Sequence, residues 1–68
     1  MKISGRNQLK AIVKEVKQDG IMAKVILDYK GERIVSVITG DSVDELDIKP
    51  GDNVIALIKS TSVMLAKE

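Results

Sequence analysis

Three turn signals divide this 68-residue chain into short runs: Asp19-Gly20, Lys30-Gly31 and Lys49-Pro50-Gly51-Asp52. In the last, Pro50 presets the first central φ and Gly51 accepts the positive φ of a type II turn. The runs between the turns are rich in β-formers. From Gln8 to Lys17, Leu9, Ala11 and Val13 share one parity, while Ile12 and Val16 fall near the other, which predicts a bend or bulge in a long strand. From Met22 to Tyr29, Ala23, Val25, Leu27 and Tyr29 share a face. Arg33–Thr39 sets Ile34, Ser36 and Ile38 against Val35 and Val37, and Asn53–Ile58 sets Val54, Ala56 and Ile58 against Ile55 and Leu57. The tail Val63–Ala66 is expected to add a fifth strand. One segment breaks the alternation. Asp41–Leu46 reads as a single short helix, capped by Thr39 or Asp41, with Val43 and Leu46 one turn apart. The chain therefore reads as all-β: a five-stranded OB-type barrel with one short helix between strands 3 and 4.

A chain this short buries a modest fraction of its surface and usually leans on disulfides, a metal or oligomerisation. It contains no Cys and no His, so disulfides and transition-metal ligation through nitrogen or sulfur are excluded. Oligomerisation remains as support. The strands point the same way, because Val54-Ile55-Ala56-Leu57-Ile58 is apolar on both faces and a lone small barrel covers only one. At about 25 cal/mol per Å2 of apolar area, covering such strands with another subunit contributes several kcal/mol.

Eleven Lys and Arg against ten Asp and Glu leave a net charge of +1, and Tyr29 is the one aromatic residue. A polyanion binder shows a basic excess, and a single-strand nucleic-acid binder needs stacking platforms. The N-terminal segment, Met1-Lys2-Ile3-Ser4-Gly5-Arg6-Asn7, has no apolar core of signal-peptide length, and no run approaches the roughly 20 apolar residues of a membrane span. The expectation is a cytoplasmic protein with no membrane or nucleic-acid partner. With no His base, no Cys nucleophile and no Walker-type phosphate loop, it is not expected to be an enzyme.

Three polar segments interrupt the strand pattern. Ser4-Gly5-Arg6-Asn7 precedes the first strand: Gly5 lets a main chain approach closely, and Arg6 brings a planar fork of donors suited to a multi-oxygen anion. Thr39-Gly40-Asp41-Ser42 opens the helix, where unpaired N–H groups favour negative charge, although plain capping also accounts for it. Lys59-Ser60-Thr61-Ser62 follows the fourth strand, placing Lys59 at the sheet margin. Brought together, Ser4, Arg6, Thr39, Ser42, Lys59 and Ser60 supply two cations and four hydroxyls, a set that suits an anion. Gly5, Asn7, Gly40 and Thr61 flank them. Lys10, Lys14, Lys17, Glu15, Lys24 and Asp28 read as solvated faces that blunt strand edges.

Those segments resemble the molbindins, the small Mop-type molybdate-binding proteins. Ser4-Gly5-Arg6-Asn7-Gln8-Leu9 is similar to the family's Ser-Ala-Arg-Asn-Gln-Leu opening, with Gly5 where Ala is usual. Ile38-Thr39-Gly40-Asp41-Ser42-Val43 is similar to its mid-chain segment, and Ala56-Leu57-Ile58-Lys59-Ser60-Thr61 to its Ala-Ile-Lys-Ser-Thr/Ser ending. The resemblance covers nearly the whole chain and implies one molbindin-like OB domain over residues 1–68. It further implies a homohexamer, a trimer of dimers in which the first strand is exchanged or shared. Molybdate or tungstate would bind at subunit boundaries, for intracellular storage, buffering or homeostasis, with no cofactor. By position, the oxyanion would meet Ser4, Arg6, Lys59 and Ser60, with Thr39 and Ser42 from a neighbouring subunit. The competing reading is a nucleic-acid-binding OB-fold module.

Overall fold

The structure is a computed structural model that describes residues 4–68. Four strands, β1 (Asn7–Asp19), β2 (Met22–Tyr29), β3 (Glu32–Thr39) and β4 (Asn53–Ile58), form one antiparallel sheet in the order β3-β2-β1-β4. A short helix, α1 (Gly40–Glu45), joins β3 to the connection before β4.

The long β1 serves two partners. Its first half pairs with β4, from Asn7 opposite Ile58 to Ile12 opposite Asn53, and its second half pairs with β2, from Ile12 opposite Asp28 to Asp19 opposite Met22. The expected irregularity lies between Val13 and Glu15, where the register with β2 shifts. An extra residue at a bulge inverts the side-chain parity that follows it. Ala11 and Val13 therefore face the core before the shift, and Val16 packs against it afterwards. Val13 is the most deeply buried side chain, 1% exposed, within a core of Ala11, Ala23, Val25, Leu27 and Val43.

Local chemistry fixes the connections. The Lys30-Gly31 turn has φ 51° and 86°, the double positive of a type I′ hairpin, whose twist matches the strands it joins. Gly51, at φ 94°, completes the expected Pro-Gly turn, in which Asp52 N–H donates to Lys49 O at 3.1 Å. That turn clasps the middle of β1: Gly51 N–H donates to Val13 O at 2.8 Å and Val13 N–H to Asp52 O at 2.9 Å. Helix α1 starts one residue before the expected Asp41. It ends in a Schellman pattern, with Ile48 N–H on Val43 O and Asp47 N–H on Asp44 O. The accompanying apolar contact unites Val43 and Ile48 at the core.

The expected fifth strand is not formed. After β4 the chain makes a 3-10 turn (Ser60–Ser62), and Val63–Ala66 follows without joining the sheet. Its side chains meet solvent, Met64 being 92% and Leu65 93% exposed. Alternation marks a segment able to pair, and in the isolated chain this one has no partner strand. The outer face of the sheet is apolar as expected, with Ile12, Val35, Val37, Ile55 and Leu57 all exposed.

Candidate functional site

The register of β1 against β4 sets the first group of polar residues. Arg6 immediately precedes Asn7, and Lys59 immediately follows Ile58, the residue opposite Asn7. Both cations therefore leave the sheet at one corner. The Asn7 side chain ties the corner together, its Nδ2 donating to Ile58 O at 3.3 Å. The Gln8 Nε2 group lies 3.5 Å from Gly5 O, within reach of the segment that carries Ser4 and Arg6. On the other side of the corner, Ser60 and Thr61 sit in the 3-10 turn, which is closed by Ser62 N–H on Lys59 O at 2.8 Å. Ser4, Arg6, Lys59, Ser60 and Thr61 are all exposed.

Neither cation at this corner has an acidic partner among the described residues. The ion pairs among those residues are Lys17–Glu15 and Lys49–Asp47, both well exposed and neither involving Arg6 or Lys59. Two positive charges on adjacent strand ends repel each other unless negative charge lies between them, so the corner is predisposed to accept an anion. The hydroxyls of Ser4, Ser60 and Thr61 add donors without adding negative charge.

The second group forms at the start of α1. Thr39 is the N-cap, in extended backbone at φ −71° and ψ 150°, and its Oγ1 accepts from Ser42 N–H at 3.1 Å. The two hydroxyls also meet, Thr39 Oγ1 lying 2.8 Å from Ser42 Oγ. Only one proton bridges that contact, so the pair keeps one O–H free to donate elsewhere. Gly40 N–H donates to Ile21 O at 2.7 Å, anchoring the helix start to the β1–β2 hairpin. A Cβ at Gly40 would stand 3.5 Å from that oxygen, an ordinary contact, so close packing does not demand glycine there.

The single chain does not unite the two groups. Thr39 lies opposite Met22 and Met22 opposite Asp19, the last residue of β1, whereas Arg6 and Lys59 flank its first residue. At about 3.3 Å per residue, the thirteen-residue strand between them has a contour of roughly 40 Å.

A cleft of about 650 Å3 lies elsewhere, where β2 and β4 diverge on either side of Ile12. Lys10, Asp28, Lys30 and Asn53 stand around it. Asp28 is half-buried there, not fully solvated as its alternation predicts. No sequence signal marks this cleft, because its walls come from three strands and a hairpin turn. Among the described residues no cluster of three or more acidic side chains is arranged to hold a metal cation.

Comparison with known proteins places this geometry. The TOBE domain model matches residues 3–65. Molybdenum-pterin-binding protein 1 of Clostridium pasteurianum is 48% identical over 66 residues, which is 96% of this chain and 97% of that protein. The structure of a molybdate-binding protein from Sporomusa ovata superposes with a TM-score of 0.95 at 54% identity, covering 98% of this chain and 100% of that one. The cytoplasmic molybdate-binding protein ModG, in its molybdate-bound form, gives a TM-score of 0.88 at 35% identity, covering 94% of this chain and 46% of that one. The curled sheet with one short helix is thus shared with molybdate-binding proteins, and this chain belongs to the TOBE-domain family, among its molbindins.

Proposed function

We propose that this protein binds the tetrahedral dianions molybdate and tungstate between copies of itself. The observation that carries this reading is the corner where Arg6 and Lys59 leave adjacent strand ends with no acidic partner among the described residues. The molybdate-binding relatives, 35–54% identical, independently support molybdate as the ligand. Molybdate and tungstate carry no proton to donate near neutral pH, so a shell made only of donors matches them. Arg6 supplies a planar fork, Lys59 a point charge, and Ser4 and Ser60 hydroxyls. Charge-assisted hydrogen bonds of this kind contribute about 1.5–3 kcal/mol each. Gly5, Asn7 and Thr61 shape the loop around the anion.

Thr39 and Ser42 sit at the far end of β1, so on this reading they reach the anion from a neighbouring subunit, through their one free hydroxyl proton, with Gly40 beside them. The assembly is a homohexamer, a trimer of dimers, built from one domain over residues 1–68. It acts in the cytoplasm as a store and buffer and not as a catalyst, with no cofactor beyond the oxyanion itself. No helix among the described residues is long and apolar enough to cross a membrane.

The test is isothermal titration with molybdate, with tungstate and sulfate as comparators. Arg6→Ala is expected to weaken molybdate binding at least tenfold, since the loss of one charge-assisted bond of about 1.5–3 kcal/mol corresponds to that factor or more. Unchanged affinity would remove Arg6 from the site.

A further inference from the structure

β1 pairs with β2 only from Ile12 onward and with β4 only as far as Ile12, so one row of residues crosses three strands: Asp28, Ile12 and Asn53. Residues directly opposite in a sheet share a face. Lys10 stands two residues before Ile12, opposite Ile55, and Lys30 two residues after Asp28. Since β1 and β2 run antiparallel, both lysines fall on the same side of that row. The cleft of about 650 Å3 opens over these residues and therefore has a polarity. A carboxylate and an amide stand at one end and two ammonium groups at the other. Ile12 and Ile55, each 42% exposed, lie between them. At a rise of about 3.3 Å per residue the two ends are roughly 7 Å apart.

The chain leaves these charges unanswered. Among the described residues, Lys10, Asp28, Lys30 and Asn53 take part in no ion pair and no side-chain hydrogen bond. Arg33 stands opposite Asp28 on β3 but does not pair with it. Lys30 Nζ instead lies 5.3 Å from the centre of the Tyr29 ring. Asp28 is half-buried, so its unpaired carboxylate forgoes part of its hydration. A ligand of one sign is repelled by one end of such a cleft, and a neutral ligand uses neither end. The complement is a zwitterion.

We propose that this cleft binds a free dipeptide with apolar side chains. Its ammonium group sits between Asp28 and Asn53, its carboxylate between Lys10 and Lys30, and its side chains rest on Ile12 and Ile55. The spacing sets the length. An extended dipeptide spans roughly 7 Å, which matches the separation of the two ends. A single amino acid carries both charges on one carbon and cannot reach across, and a longer peptide overshoots. The volume agrees, since clefts that hold small molecules run from about 300 to 1,000 Å3. The cleft shares no residue with the Arg6–Lys59 corner, so neither ligand needs the other.

Nuclear magnetic resonance titration of the full chain, labelled with carbon-13 at the isoleucine methyls, tests it with leucyl-leucine as the probe. The expected result is a saturable shift of the Ile12 and Ile55 methyls at millimolar dipeptide or below. N-acetyl-leucyl-leucine and leucyl-leucine amide, each lacking one terminal charge, should bind about tenfold more weakly or worse, as should leucine and trileucine. No saturable shift, or equal binding of the capped peptides, would overturn the dipeptide site. Asp28→Asn should lower leucyl-leucine affinity about tenfold and leave the weak binding of the N-acetyl peptide unchanged. An unaltered leucyl-leucine affinity in that variant would also overturn it, and the capped peptides decide the matter on the native chain if the variant does not fold. A flat dipeptide titration beside normal molybdate binding removes only this site, and dipeptide binding without molybdate binding removes only the oxyanion reading.

Discussion

At Asp47 the backbone enters the left-handed region, with φ 52°, as the residue after the C-cap of a Schellman motif must. A Cβ there is strained, and Asp is among the few residues besides glycine that visit this conformation readily. The carboxylate also meets Lys49 Nζ at 3.2 Å, but both side chains are well exposed and such a pair contributes little. Replacing Asp47 by Gly and by Ala separates the two effects, because each loses the ion pair equally. Asp47→Gly is expected to be more stable than Asp47→Ala by about 1 kcal/mol, read from urea midpoints. Equal midpoints would mean that backbone strain at this position is negligible. The same reasoning distinguishes Thr39 from its neighbours. Its hydroxyl already accepts from Ser42 N–H, so the capping role holds in the isolated chain, and any part in anion binding is additional.

Among the elements, β1 holds the fold together because it borders both β2 and β4 and changes parity halfway. Val13 marks the changeover and is buried to 1% exposure. Val13→Ala is expected to cost about 1.5–3 kcal/mol in a chemical denaturation experiment, near the full worth of burying such a side chain. A loss below about 0.5 kcal/mol would show that the core relaxes around the deletion. Alternation of apolar residues was enough to locate β1–β4 and the irregularity in β1, because each half of each strand buries one face against its own chain. It misjudged Val63–Ala66 for a physical reason: periodicity reports that a segment is able to pair, not that a partner strand lies beside it. The polar segments stood out for the opposite reason, as interruptions of the strand pattern. Their grouping was harder to see, since it depends on the register that sets Asn7 opposite Ile58 and Thr39 opposite Met22, and a register is a property of pairs.

For the molecule as a whole, the outer face of the sheet carries Ile12, Val35, Val37, Ile55 and Leu57 in solvent, an unusual exposure for 68 residues with no disulfide. Light scattering is expected to give the mass of a hexamer, and a monomer at micromolar concentration would defeat an intersubunit site. Because the anion is proposed to bind assembled chains only, molybdate should also raise thermal stability by mass action. At a hundredfold excess over the dissociation constant the gain is about 2.7 kcal/mol. A melting temperature indifferent to molybdate would argue against linkage between assembly and ligand. The clasp between the Pro50-Gly51 turn and Val13 has a consequence for anyone redesigning this protein. By exposure alone, that bend looks like a spare place to splice in a foreign peptide. Its amide and carbonyl hold the deepest residue of the longest strand, so lengthening it would pull on the centre of the molecule. The Lys30-Gly31 hairpin tip, whose added atoms would meet open space at Gly31, is the safer place for grafting.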